Sequence, residues 1–177
     1  YTTKEQAGFR KGFSTCDHLL TLKILIEKAT EYKLPIYMAF IDYEKAFDSI
    51  ELWAVENALQ NSRIDSRYTT LIKNLYKNAS MFVDITDETD DIPVRRGVRQ
   101  GDTISPNLFT LALEDIFKEL NWQEKGININ GQRLSNLRYA DDIILFSESA
   151  EDLQEMLLDL TKASEKKGLK MNKAKTK

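Results

Sequence analysis

The chain runs to 177 residues, with 25 Lys and Arg against 28 Asp and Glu, a formal charge of −3, one histidine and one cysteine. That length suits one domain and 42% hydrophobic residues can build a core, while only 7 Gly and 3 Pro exclude extended disorder and collagen-like repeats. Cys16 and His18 alone cannot make a disulfide framework, a cysteine-rich zinc site or a multi-histidine metal centre, so transfer or hydrolytic chemistry has to rest on carboxylates, hydroxyls, lysine or arginine.

No apolar run approaches the roughly 18 residues of a membrane-spanning helix. The free thiol fits a reducing compartment. An opening at Tyr1 with no signal-peptide pattern reads as a piece of something longer.

In chain order, a helix is predicted from Ser14 or Thr15, burying Leu19, Leu22, Ile26 and Ala29 at helical spacing. Cys16 and His18 fall in its first turn and read as ordinary helix positions. Pro35 breaks the chain, and 36–41 (IYMAFI) reads as a buried strand. A second helix is expected after Asp48, with Asp48 and Glu51 as a capping box. A third, around 67–78, places Tyr68, Leu71, Ile72, Leu75 and Tyr76 on one stripe. Met81, Val83 and Ile85 alternate with polar residues, predicting a strand that leads through 87–91 into another at about 92–98.

Ser105-Pro106 reads as a helix start, a capping hydroxyl followed by first-turn proline. The helix to about Leu120 is apolar on several sides, which predicts deep burial. Asn130-Gly131 after Ile127 and Ile129 signals a hairpin. Two apolar stretches, 137–140 and 143–146, flank Asp141-Asp142. Ser149 caps a last helix with Leu153, Met156, Leu157 and Leu160 inside, ended by Gly168. Trp53 and Trp122 read as packing residues. Strands joined as hairpins and interleaved with long helices indicate an α+β fold with an antiparallel sheet.

Charge is uneven. Residues 141–159 hold seven acids and no Lys or Arg, while 161–177 hold seven lysines and one acid; Arg95, Arg96 and Arg99 crowd together after the acids of 84–91. Local basic patches can hold phosphates on a domain whose total is acidic, although each patch alone also reads as an ordinary solvated face.

The informative acids stand at strand ends. Asp42 directly follows 36–41, and Asp141-Asp142 interrupt two apolar stretches where a tight turn would expose them. A carboxylate is costly to desolvate unless paired or metal-bound. If folding joins these distant positions they form an all-oxygen cage suited to Mg²⁺, which is usually held by one or two carboxylates plus substrate phosphates. A turn residue for Asp42, and a plain hairpin tip for Asp141-Asp142, are the competing readings at this level.

Five strings, in order across nearly the whole chain, raise a specific resemblance: QAGFRKGFST (6–15), AFIDYEKAFDSI (39–50), RRGVRQGDTISPNLF (95–109), RYADDIILFS (138–147) and GLKMNKAKTK (168–177). Together they resemble the reverse transcriptase of non-LTR retrotransposons, an RNA-directed DNA polymerase. The resemblance implies a polymerase palm, an antiparallel sheet backed by helices, with part of the fingers. One reverse transcriptase domain spans 1–177, about 1–35 as the fingers-side helix and 36–177 mainly palm, with no thumb.

By the same resemblance Asp42, Asp141 and the Tyr43 carbonyl would hold two Mg²⁺ ions, or Mn²⁺ in their place, with Asp142 as a nearby acid. Phe47 would lie against the incoming sugar and favour deoxynucleotides. Gln100 and Gly101 would line the nucleotide pocket, Gly101 allowing close backbone approach, while Asp102 orders that turn. Arg10 would reach phosphates, and Arg95, Arg96 or Arg99 the template. Lys175 would protonate departing pyrophosphate; as one lysine of seven in the tail, it equally suits a solvated charge.

Implied partners are an RNA template, a DNA primer, deoxynucleoside triphosphates and an endonuclease domain in the same parent polypeptide. Nuclear action is implied too, through priming at a nick in chromosomal DNA. Because nucleic-acid affinity leans on Lys and Arg, these residues alone are expected to synthesise DNA weakly or not at all. The competing functional readings are a catalytically inactive or domesticated nucleic-acid-binding fragment, and another palm-type enzyme such as an RNA-templated RNA polymerase or a nucleotide cyclase. The intact FIDYEKAFD, RQGD and YADD strings argue against the first, and Phe47 with RQGD against the second.

Overall fold

A computed structural model describes residues 3–77, 79–84 and 89–177. Helix α1 (Thr15–Tyr32) is followed by β1 (Tyr37–Ile41), a short α2 (Ala46–Ser49), α3 (Leu52–Asn61) and α4 (Ser66–Lys77). A hairpin of β2 (Ser80–Asp84) and β3 (Thr89–Pro93) leads to α5 (Ser105–Glu119). Two further hairpins, β4 (Ile127–Ile129) with β5 (Gln132–Leu134) and β6 (Asn136–Tyr139) with β7 (Asp142–Ser147), precede α6 (Ala150–Lys166). No helix among the described residues is long and apolar enough to cross a membrane.

The central sheet is antiparallel in the order β1-β7-β6, with Ile41 opposite Ile143, Phe40 opposite Ile144, and Arg138 opposite Ile143 from the other side. One face buries Ala39, Ile41, Ile143 and Leu145 against a core completed by α3, α5 and α6, including Leu59, Phe109, Leu113, Ile116, Met156 and Leu160. Helix α5 is buried continuously from Leu108 to Ile116, as its all-round apolar sequence predicts.

Both edges of this sheet are covered. On β6, Ala7 N–H donates to the Arg138 carbonyl (2.9 Å) and Arg138 N–H to the Glu5 carbonyl (2.7 Å), a short parallel pairing. On β1, Glu44 N–H reaches the Lys170 carbonyl, Asn172 N–H the Asp42 carbonyl, and Phe40 exchanges two bonds with Lys177. Covered edges cannot template pairing with another chain.

Several local expectations need correction. Helix α1 starts where predicted, with Asp17 accepting from the Ser14 N–H and hydroxyl, but it buries none of its residues: Leu19 and Ile26 are exposed and Leu22 and Ala29 only half-buried. Periodicity reports a stripe, not what lies against it. Helix α4 likewise buries only Tyr76 of its stripe, half-burying Ile72 and exposing Tyr68, Leu71 and Leu75. Strand β1 buries Ala39 and Ile41 on one face, leaving Phe40 exposed on the other and Tyr37 exposed at its start.

Asp48 lies inside α2 rather than capping a helix, and Glu51 takes the cap position of α3. Ile104 caps α5, so Ser105 is its first helical residue, buried with its hydroxyl 3.0 Å from that of Tyr76. β3 ends at Pro93, short of the predicted 98, and 85–88, with Asn78, lie outside the described residues. Trp122 packs edge-on to Phe117, whereas Trp53 is exposed.

The remaining signals hold. Asn130 and Gly131 both adopt positive φ in the β4–β5 turn, and Ser149 accepts from the Asp152 N–H at the start of α6. Gly168 at φ +87° lets the chain pass Ser49, whose carbonyl would sit 2.5 Å from an added Cβ.

Candidate active site

The apolar run of β1 ends at Asp42, and alternation puts Asp42 with Phe40 on the face opposite Ala39 and Ile41. One step beyond the Ile41–Ile143 pair, Asp42 and Asp142 come level across β1 and β7. Tyr139 pairs with Asp142, so Ala140 and Asp141 form the two-residue turn between β6 and β7. Ala140 adopts φ 57°, a conformation uncommon for a residue with a Cβ. The strand-end acids, remote in sequence, thus gather at one end of one sheet.

Their electrostatics follow. The Asp142 carboxyl, on an exposed residue, is raised above the ordinary carboxylate range, first by partial desolvation and then by the charges of Asp141 and Asp42. The Asp42 Oδ2 atom is buried with no hydrogen-bond partner. The cation facing it is Lys175, whose Nζ stands 3.5 Å from that oxygen. Lys175 is delivered by Asn172, which anchors on the Asp42 carbonyl through its N–H and accepts from the Ala174 and Lys175 N–H groups through Oδ1.

These groups fit a divalent cation. A crowded acidic set with a buried oxygen that accepts no hydrogen bond is relieved by positive charge, and its donors are the hard oxygens that Mg²⁺ prefers. Among the described residues no three His, Cys, Asp or Glu side chains are preassembled to hold an ion by themselves, so further oxygens have to come from backbone or substrate. The Tyr43 carbonyl is available in that sense, since the bridge between Tyr43 and Met171 is made by the flanking Asp42 carbonyl and Glu44 N–H. The Tyr43 ring belongs to the core: its hydroxyl lies 2.7 Å from that of Ser164, and burial pushes its pKa up to about 12.

A second cluster forms around α2. Phe47 stacks on Phe109 of α5 at 4.5 Å between ring centroids and meets Phe9 edge-on at 6.2 Å. Gln100 Nε2 donates to Asp48 Oδ1 at 2.8 Å, and Val98 N–H to the Phe47 carbonyl at 2.7 Å, which docks 97–100 onto α2. Phe47, Arg99, Gln100, Gly101, Ser105 and Pro106 line a cleft of about 260 Å³. Gly101 has φ +85° and no protein atom within 4 Å of a projected Cβ, so its glycine answers to backbone conformation and leaves room beside it. The close backbone approach in this segment is at Gly97, against Asp48. Asp102 orders its turn by accepting from the Ile104 N–H.

The basic candidates are dispersed. Arg99 joins that cleft; Arg95 and Arg96 are exposed outside its lining. Arg10 stacks on Phe13 at 4.2 Å, donates to the Thr3 carbonyl, and borders a separate hollow with Phe9, Asn107 and Leu108. A larger hollow of about 900 Å³ between α1 and the β4–β5 hairpin contains none of the candidate residues.

Three features escaped sequence reasoning. Arg138, inside a stretch read as apolar, is buried against Glu114 at 3.1 Å, with Phe117 under its guanidinium at 4.0 Å. An arginine within a strand of that kind was the available signal. Lys167, one of the tail lysines, is buried on Asp115 at 2.8 Å rather than solvated. Gln6 grips the backbone of Ala140; no local pattern marks a partner so distant.

The family model described as reverse transcriptase (RNA-dependent DNA polymerase) matches residues 2–177. The chain belongs to that family. This reverse transcriptase chain is 28% identical over 167 residues to the retrovirus-related Pol polyprotein of a type-1 R2 retrotransposable element from Nasonia vitripennis, a match taking in 94% of this chain and 16% of that protein. It is 28% identical over 158 residues to the corresponding polyprotein of R2DM from Drosophila melanogaster, with 88% and 15% covered. The chain therefore spans about a sixth of these relatives' length. Apo telomerase from Candida tropicalis superposes with a TM-score of 0.72 at 16% identity, covering 98% of this chain and 33% of that one, a likeness of fold. The expected α+β palm architecture and the resemblance carried by the five strings are both met.

Proposed function

We propose that this chain is the fingers–palm portion of a non-LTR retrotransposon polymerase that adds deoxynucleotides to a primer 3′-hydroxyl on an RNA template, within a longer polypeptide. The observation that carries this is the convergence of Asp42, Asp141 and Asp142 at one end of the β1-β7-β6 sheet. Asp42, Asp141 and the Tyr43 carbonyl would hold Mg²⁺, two ions with Mn²⁺ as a substitute. When bound, the metal supplies the positive charge that lowers the pKa of the attacking hydroxyl and stabilises departing pyrophosphate.

The chain's own groups do the rest. Asp42 and Asp141 fix where that charge sits, and Asp142 adds negative potential beside them. Phe47, held by Phe109 behind and Phe9 at its edge, presents a ring where a 2′-hydroxyl would have to go. Gln100 and Gly101 shape the cleft beside it, Arg99 brings positive charge for template or phosphate, and Lys175 Nζ gives a proton to pyrophosphate as it leaves. Arg10, Arg95 and Arg96 contribute phosphate contacts from the periphery.

The test is primer extension by the full-length polypeptide carrying Asp42→Asn or Asp141→Asn. Each is expected to lose at least about 10³-fold in rate, roughly 4 kcal/mol of barrier, with duplex binding and circular dichroism retained. Undiminished extension in both would remove the reading, and a wild-type polypeptide that binds duplex without extending it would favour the noncatalytic alternative.

A further inference from the structure

We propose that Gln6 is a positioning residue whose side-chain amide locks the Ala140–Asp141 turn and thereby sets the aim of the Asp141 carboxylate. The inference rests on the reading of Asp141 given above and adds a residue to which that reading assigns nothing. Gln6 is completely buried. Its Oε1 accepts from the Ala140 N–H at 3.0 Å and from the Gly8 N–H at 2.8 Å, while its Nε2 donates to the Ala140 carbonyl at 3.2 Å. A single side chain thus satisfies both backbone groups of one residue lying 134 positions away.

An amide does this without titrating. It carries a donor and an acceptor on one planar group; a carboxylate accepts but cannot donate, and an aliphatic chain does neither. The residue gripped is the one that bears strain, since Ala140 sits at φ 57° without being glycine. Turning a two-residue hairpin tip by a few tens of degrees redirects the side chain that follows, and Asp141 is that side chain.

The surroundings keep the grip rigid. Ala7 and Glu5 pair with Arg138 on the edge of β6, fixing the backbone on both sides of Gln6. Gly8 packs so closely that a Cβ there would lie 2.2 Å from the Ala140 nitrogen. Phe9 then reaches the edge of Phe47. One short segment, 6–9, therefore touches both the acidic turn and the ring beside the nucleotide cleft. Groups that orient a metal-binding side chain from behind change affinity or activity by about 10–100-fold when removed.

The experiment uses the full-length polypeptide with Gln6→Met, which keeps volume and removes all three bonds, and Gln6→Glu, which keeps the two accepting bonds. Steady-state extension, thermal melting and Mn²⁺ binding by electron paramagnetic resonance, on a primer lacking its 3′-hydroxyl, are measured together. Gln6→Met is expected to lower kcat about 10–100-fold and weaken Mn²⁺ binding about 10-fold, with the KM for deoxynucleotide and duplex affinity within about twofold. Gln6→Glu is expected to fall between Gln6→Met and the parent.

A folded Gln6→Met with parental kcat and Mn²⁺ binding overturns the proposal. Where Gln6→Met does not fold, Gln6→Glu decides on the same criteria, and failure of both to fold assigns Gln6 to stability alone and overturns it as well. Asp141→Asn is run alongside. Retained extension there overturns the reading of the site and this inference with it; loss there beside an unaffected Gln6→Met overturns this inference alone.

Discussion

Removing Arg138 should unfold more than a strand. Its guanidinium and the Glu114 carboxylate are 2% and 1% exposed and 3.1 Å apart, Nη2 also donates to Thr3 Oγ1 at 2.7 Å, and the Phe117 ring lies beneath. Arg138→Met leaves Glu114 buried without its cation, for which the expected loss is about 3–5 kcal/mol. For a chain of this size that lowers Tm by about 6–20 °C.

The pair is also incompletely satisfied, because Arg138 Nε and Nη1 and Glu114 Oε2 have no hydrogen-bond partner. An apolar replacement of both, Arg138→Met with Glu114→Leu, should therefore recover most of the loss, so that the double variant is more stable than either single one. Urea denaturation of the four proteins measures this. Single variants within 1 kcal/mol of the parent would refute the reasoning.

The site allows three further tests. The raised Asp142 carboxyl means that the fold holds this proton more tightly than the unfolded chain, so its contribution to stability falls as pH rises through the window between the ordinary and the raised value. Asp142→Asn should gain a few tenths of a kcal/mol (about 0.2–0.5) over the parent at pH 7 and lose that advantage near pH 4 in urea titrations, the small size reflecting solvent screening. Phe47→Ala removes the ring stacked on Phe109 and should lose ribonucleotide rejection while still incorporating deoxynucleotides, as competitive single-nucleotide extension by the full-length polypeptide would show. Lys175→Met takes the ammonium away from Asp42, so Mn²⁺ binding should tighten about 2–5-fold, as expected for an exposed pair of about 0.5–1 kcal/mol, while extension slows; weaker Mn²⁺ binding would contradict the competition between lysine and metal.

What could be read from the chain depended on how local its cause was. The Asn130-Gly131 turn, the Ser149 cap and the stop at Gly168 are set by neighbours within a few residues, and each stands where predicted. The acids were legible because a carboxylate at the end of an apolar strand contradicts its surroundings, whichever partner it later finds. Burial was less legible. The stripe of α1 buries nothing and that of α4 is covered only at Tyr76 and partly at Ile72, and no single sequence states how much of a stripe is covered. Ser105 looked like a cap because serine and proline favour helix starts, but its hydroxyl is taken by Tyr76 across the core. Gln6 was invisible as a support for the site, and Arg138 stood out without its partner being nameable, because a backbone turn and a helix side chain have no sequence signature as partners.

The two covered sheet edges and the acidic cluster are one construction. An open edge on β6 or β1 would be an aggregation hazard, and each is closed by a segment that also carries a polar group onto the acidic end: Gln6 on one side, Asn172 and Lys175 on the other. Neither segment needs to be a regular strand, because two backbone bonds on the β6 edge and four on the β1 side fix its register. Side chains brought in this way arrive along the edges of the sheet and leave the face bearing Phe40 and Asp142 exposed. The acids can be brought level by β1 pairing with β7, but the tip that bears Asp141 is held only when residues 5–8 have docked on β6.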